Sequence, residues 1–179
     1  MEEYRSGKTR SYRPKLTPSG AKAGTLNVKF PARRVYVTGG ASGIGREIVR
    51  QFRDAGGKVA FCDIDRVSGA ATAQATGAQF HPVDVADAQA LETSLKRVID
   101  AWGDIDVLVN NVGVSEFKPL VESTVEDFDR IMAVNMRPVY VTSRTLALHR
   151  KSLGEPHYGR IVNISSTPVS YTHLRAHET

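Results

Sequence analysis

Residues 38–45 read Thr-Gly-Gly-Ala-Ser-Gly-Ile-Gly, directly after the apolar run Val35-Tyr36-Val37 and directly before an amphipathic stretch. Glycines at 39, 43 and 45 let the chain turn sharply and bring its backbone close to a ligand with no Cβ in the way. A helix opening near Gly43 aims free N–H groups and the positive end of its dipole at the same place. The chemistry open to such a segment is anion binding, above all of a pyrophosphate. Thr38, Gly39, Ser42, Gly43, Ile44 and Gly45 are therefore the candidate phosphate-loop residues. A glycine cluster alone is only a turn signal, so its surroundings have to carry the argument.

The surroundings repeat the message. Ile44, Ile48, Val49 and Phe52 fall on one face of a helical period, with Arg46, Glu47, Arg50 and Arg53 on the other. Gly56-Gly57 supplies a left-handed stop. Lys58 to Cys62 then reads as a buried strand ending in Asp63, 18 residues beyond Gly45. A strand–helix–strand unit with an acid at the end of its second strand is the dinucleotide fingerprint. The Asp63 carboxylate can accept both ribose hydroxyls of NAD and would repel the 2′-phosphate of NADP, so NAD is the favoured cofactor. The plain alternative for Asp63 is a solvated strand-end acid.

With these residues in place, the chain resembles the short-chain dehydrogenase/reductase family, in the branch with Gly-x-x-x-Gly-x-Gly spacing. Three further motifs follow in order. Asp84-Val85, after the strand 79–83, matches the pair that holds the adenine. Asn110-Asn111-Val112-Gly113 matches the family's Asn-Asn-Ala-Gly, with valine for alanine. Asn111, Val112 and Gly113 join the cofactor-binding set, and Val112 adds two methyls where the nicotinamide ribose is expected to pass. Gly159 to Ser166 matches the strand ending in the catalytic serine, which corresponds to Ser166. The resemblance also assigns Asn135, read as mid-helix although asparagine is a poor helix former there, to a bend that binds a water of the proton relay.

The chemistry that the resemblance implies is hydride transfer between a nicotinamide and an alcohol or carbonyl carbon, with the protein supplying orientation and a proton. Ser166 is expected to hydrogen-bond the substrate oxygen. The general acid/base of the family is a tyrosine, assisted by a lysine four residues on; an unassisted phenol titrating near 10 is a poor base at neutral pH. No Tyr-x-x-x-Lys follows Ser166. Tyr4 to Lys8 has that spacing in a polar leader, and Tyr171 to Arg175 has it with the wrong cation. The chain is therefore expected to be an N-terminal fragment, itself inactive, whose residues 169–179 resemble translated adapter sequence. His173 and His177 lack a third ligand, so no metal is expected. His81, His149 and His157 read as surface or cap residues.

The elements that must position these groups alternate. Strands are expected at 34–38, 59–62, 79–81, 107–109 and 160–164, and helices at 43–55, 67–75, 88–102 and 125–151. That alternation predicts an α/β, Rossmann-type doubly wound parallel sheet with right-handed crossovers. Its expected order is 3-2-1-4-5, with the last strands of the family fold missing and the cofactor in the crevice between strands 1 and 4. Strand 5 is left as an apolar edge carrying Ile161, Val162 and Ile164, a liability for aggregation. The helix from Val125 is expected to pair across a subunit interface, making the full-length protein a homo-oligomer.

Composition agrees with a globular domain: 41% of residues are hydrophobic, and no apolar run is long enough to span a membrane. The single cysteine, Cys62, permits no internal disulfide and fits a reducing cytoplasm. Residues 1–34 carry nine Lys/Arg against two acids, so the whole net charge of +5 resides at the start of the chain. Residues 1–28 are read as a basic, disordered extension, 29–168 as the incomplete NAD-binding domain and 169–179 as a non-native tail. With only Tyr4 and Tyr12 interleaved, the extension reads as solubilising rather than nucleic-acid binding, and no apolar segment marks it as a secretory signal. Two other functions remain open: a non-catalytic dinucleotide-binding regulator, against which Asn135 and Ser166 count, and a nucleic-acid binder using the basic arm. The expected partner is a small alcohol or carbonyl substrate.

Overall fold

In the computed structural model, residues 29–115, 119–154 and 158–165 are described. The strands are β1 (Arg34–Thr38), β2 (Lys58–Asp63), β3 (Gln79–Pro82), β4 (Val107–Asn110) and β5 (Arg160–Asn163). They pair side by side in parallel, in the order β3-β2-β1-β4-β5. The chain runs outward from β1 to β3 and then crosses back to β4. The loops leaving β1 and β4 therefore diverge at the switch point, where open α/β sheets place their ligands.

The central strands β1, β2 and β4 are short and mostly apolar, yet they sort their side chains with a period of two. Val35, Val37, Val59, Phe61, Val107 and Val109 point to one face, where Val49 and Ala78 complete the core. Tyr36, Ala60, Cys62 and Leu108 point to the other, against Leu91, Leu95, Val98, Ile99 and Leu146. Helices α1 (Gly43–Asp54) and α2 (Arg66–Thr76) cover the first face. Helices α3 (Ala88–Trp102) and α5 (Arg137–Ser152) cover the second, and α4 (Val125–Asn135) packs on α5.

Local chemistry starts and stops these helices. Asp65 caps α2 through the amides of Val67 and Ser68, and Asp87 caps α3 through those of Gln89 and Ala90. Thr124 and Asp127 form a reciprocal capping box at α4. Gly56, Gly77 and Gly103 follow their helices with left-handed φ of 88°, 69° and 82°.

Two expectations need correction. The single helix expected over 125–151 is two helices, broken at Met136. Pro138 stands in the first turn of α5; it has no N–H to offer Val134, so the bonding ladder of α4 cannot pass through it. Asn135 is consequently the last residue of α4, not a mid-helix residue. Nor does Ile44 share the buried face of α1: it is 65% exposed, whereas Val49 is fully buried and Ile48 and Phe52 pack on the core.

The foot of the sheet is held by charge. Arg34 donates from its backbone N and its Nε to Asp106 Oδ2, at 2.8 and 2.9 Å. Asp104, buried, lies 3.6 Å from Arg34 and 3.2 Å from Arg150 of α5. His149 Nε2 reaches the Gly103 carbonyl at 3.1 Å, consistent with the cap role read for it. His81, by contrast, is a half-buried strand residue whose Nε2 has no partner among the described residues, and burial together with Arg97 holds its pKa down. No described helix is long and apolar enough to cross a membrane.

Candidate functional site

The turn after β1 is built in layers. The amides of Gly39 and Gly40 both donate to the Cys62 carbonyl at the end of β2, at 2.8 and 3.2 Å. Gly40 rests on Phe61, where a Cβ would lie 2.6 Å from the side chain. The turn then enters α1 through Ser42, which has extended dihedrals and makes no side-chain cap bond. The first helical bond is Arg46 N–H to Ser42 O, 3.0 Å. Geometry therefore leaves the amides of Gly43, Ile44 and Gly45 without acceptors inside the helix. Helices α2, α3 and α4 have side-chain caps; α1, at the glycine turn, and α5, which continues from the break at Met136, do not.

The three motif glycines serve different ends. Gly39, at φ 72°, would place a Cβ 2.8 Å from Val112 and 3.0 Å from the Asn111 amide. Gly45 would place one 1.9 Å from the Gly39 carbonyl, so it is required for the turn to close at all. Around Gly43, at φ 52°, nothing lies within 4 Å. Packing explains Gly39 and Gly45; of the three only Gly43 borders open space, directly over the uncapped helix start.

The β4 loop is bolted to this turn. Thr38 Oγ1 accepts the amides of Asn111 (3.0 Å) and Val112 (3.3 Å). Asn111 Nδ2 in turn donates to the carbonyls of Thr38 and Gly39, at 3.1 and 3.2 Å. Val112 packs on Gly39 and the core, filling the gap between the two loops. Gly113 is exposed, its would-be Cβ 3.8 Å from Asn135. Asn135 binds the next residue, Val114, through both ends of its carboxamide.

On the other side of the turn, Asp63 is half-buried. Its Oδ2 accepts the Ala41 amide at 2.9 Å and its Oδ1 the Asp65 amide at 3.0 Å. Each carboxylate oxygen has two lone-pair sites, so each keeps one for a hydroxyl arriving from outside. Asp84 is exposed and accepts the Ala86 amide at 2.9 Å, while Val85 is buried in the core. The site thus joins an uncapped helix start, a carboxylate at the neighbouring strand end, and a second loop across the switch point. This donor set fits a diphosphate flanked by a ribose.

Several functional candidates lie outside the described residues: Ser166, Tyr4, Tyr171, Arg175, His157, His173 and His177, with the segments 1–28 and 169–179. Beside that boundary is a network that sequence reasoning missed. Asn110 Nδ2 donates to Asn163 Oδ1 at 2.9 Å, and Thr142 Oγ1 donates to Asn110 Oδ1 at 2.7 Å. It ties β4, β5 and α5 together two residues short of Ser165. The recurrence of asparagine at two strand ends was the available signal. Cys62 is fully buried, which pushes its thiol up to about 11 and leaves it inert.

Known proteins align with this geometry. Mouse L-fucose dehydrogenase is 37% identical over 141 residues, covering 77% of this chain and 50% of the mouse protein. The structure of a short-chain dehydrogenase/reductase from Serratia marcescens superposes with a TM-score of 0.73 at 32% identity, over 80% of this chain and 59% of that one. A short chain dehydrogenase from Burkholderia cenocepacia, solved in complex with NADP, gives 0.67 at 30% identity, with the same coverage. The chain spans about half the length of the curated relatives it matches. The sequence profile of the short chain dehydrogenases matches residues 33–174, and with that match, the strand order and the glycine turn in agreement, the chain belongs to the short chain dehydrogenase family.

Proposed function

We propose that this chain carries the dinucleotide-binding half of an NAD-dependent oxidoreductase acting on a small alcohol or carbonyl compound. One observation carries the reading: the uncapped start of α1 opens on free space at Gly43, with the Asp63 carboxylate at the adjacent strand end. The amides of residues 43–45 take the diphosphate, with Thr38, Gly39 and Ser42 shaping the turn. Asp63 takes the adenosine ribose, and Asp84 and Val85 border the adenine. Asn111, Val112 and Gly113 line the far ribose across the switch point. When bound, the nicotinamide supplies the hydride chemistry. Ser166 then bonds the substrate oxygen, and Asn135, at the helix bend, binds a water of the proton relay while its side chain holds the β4 loop.

The Burkholderia cenocepacia relative is a complex with NADP. In this chain the Asp63 carboxylate disfavours a 2′-phosphate by like-charge repulsion, so NAD is preferred. Residues 29–168 form the dinucleotide unit, preceded by the basic segment 1–28. A cytoplasmic setting fits the reduced Cys62. A second copy of the full-length protein would cover Phe128, Met136 and Tyr140, which are 55–67% exposed on α4, at the helix break and on α5.

Calorimetric titration with NADH tests the reading. Saturable binding to the folded chain, with no alcohol turnover because no Tyr-x-x-x-Lys follows β5, is the expected result. A folded chain that binds no nicotinamide dinucleotide would overturn it.

A further inference from the structure

We infer that Thr72, on α2 and outside every motif, is a positioning residue for the glycine turn, holding the Ala41 carbonyl while Asp63 holds the Ala41 amide. The inference rests on the dinucleotide reading above and adds a residue to that site. Ala41 is the middle of the turn and is 1% exposed. Its N–H is held by Asp63 Oδ2 at 2.9 Å. Its C=O accepts from Thr72 Oγ1 at 3.1 Å, across 31 residues of sequence.

Two other helical threonines show the commoner arrangement, while Thr142 reaches both its own helix and Asn110 of β4. A helical threonine commonly turns its hydroxyl back onto the carbonyl one turn earlier. Thr76 does so to Thr72 at 2.7 Å, and Thr145 to Val141 at 2.8 Å. Thr72, 4% exposed, instead spends its single hydroxyl proton on a carbonyl of another element. Its reach depends on how closely α2 approaches the sheet. Gly69, one turn earlier, allows that approach, since a Cβ there would lie 2.3 Å from the Phe80 ring. Phe80 stacks on Phe61 at 5.2 Å, and Phe61 is the surface on which Gly40 rests. Helix α2 therefore supports the turn twice, through an aromatic pair beneath Gly40 and a hydroxyl on Ala41.

The consequence is preorganisation. With the two peptide groups that flank the Ala41 Cα both fixed, Ser42 and Gly43 enter α1 in one orientation, and the free amides point to one place before any ligand arrives. Removing the hydroxyl leaves the Ala41 carbonyl buried and unpaired, and the turn must move to satisfy it.

The test compares Thr72→Val, which keeps the shape and loses the hydroxyl, with Thr72→Ser, which keeps the hydroxyl. NADH titration of the full chain, well below its melting temperature, is expected to show binding weakened about fivefold to tenfold in Thr72→Val, as one hydrogen bond predicts, and restored in Thr72→Ser. Amide exchange of residues 39–45, measured without dinucleotide, is expected to quicken in Thr72→Val alone. Thr72→Ala serves the same comparison if the valine variant does not fold. Wild-type affinity and loop exchange in the variants lacking the hydroxyl, or equal losses in Thr72→Ser, would overturn the proposal. Because exchange is read without a ligand, failure of the wild type to bind NADH would strike the cofactor reading and leave the clamp to be judged by exchange.

Discussion

Asn135 makes both of its side-chain hydrogen bonds to a single residue: Nδ2 donates to the Val114 carbonyl at 2.8 Å, and Oδ1 accepts the Val114 amide at 2.8 Å. The carboxamide thus mimics a neighbouring strand for one residue of the β4 loop. Being at the end of α4, it fixes the distance between that helix and the loop that carries Asn111 to Gly113. Asn135→Ala is expected to cost about 1–2 kcal/mol of stability and to loosen the loop. Chemical denaturation and amide exchange of residues 112–115 would check both.

The motif glycines are expected to fail in different ways. Gly43→Ala should fold, since open space surrounds its Cβ and the left-handed φ costs only about 1–2 kcal/mol, yet it should lose dinucleotide binding because the Cβ occupies the approach to the amides. Gly45→Ala should unfold or rearrange the turn, because its Cβ meets the Gly39 carbonyl. Circular dichroism paired with NADH titration separates the two; a Gly43 variant that binds normally would contradict the phosphate-loop assignment.

Asp63→Ala removes an acceptor for the Ala41 amide as well as the proposed ribose contact. NADH affinity is expected to fall about tenfold or more, as for loss of charge-assisted bonds. The ratio of NADPH to NADH affinity should rise, because the repelling charge is gone. Parallel titrations with both dinucleotides measure this, and an unchanged ratio would remove Asp63 from cofactor selection.

At the opposite end of the sheet, Arg34 holds the Asp106 carboxyl down at about 2, from an ordinary 3.8, mainly through their hydrogen bonds. A carboxyl depressed in the folded state stabilises above its unfolded pKa and loses that contribution as pH falls through the folded value. The pair should therefore add about 2 kcal/mol above pH 4 that fades between about pH 4 and 2. Asp106→Asn should be less stable at neutral pH by about that amount and show a flatter acid limb in urea melts recorded across that range.

Much of this molecule is written locally. The turn at 38–45, the stop at Gly56, the alternation of elements and the acid at 63 follow from short-range sterics and hydrogen bonding. They were legible because glycine freedom, helix period and strand length act within a few residues. The strand order followed from handedness and the resemblance, and the structure has the same order. The helix break at Met136 was also local, announced by Pro138, though the apolar period ran across it.

Packing decided the rest. The central runs Val35–Val37, Val59–Cys62 and Val107–Val109 are apolar on both faces, so no pattern in them told which face Tyr36 or Phe61 would take; the helices laid on each side did. The helical period placed Ile44 on the buried face, but in the fold it is 65% exposed while Val49 on the same face is fully buried. Thr72 looks like any helical threonine until α2 is set against the turn, and Asn135 until the β4 loop arrives beside it. Such bonds join residues tens of positions apart, and their partners come within reach only once the core has brought the elements together.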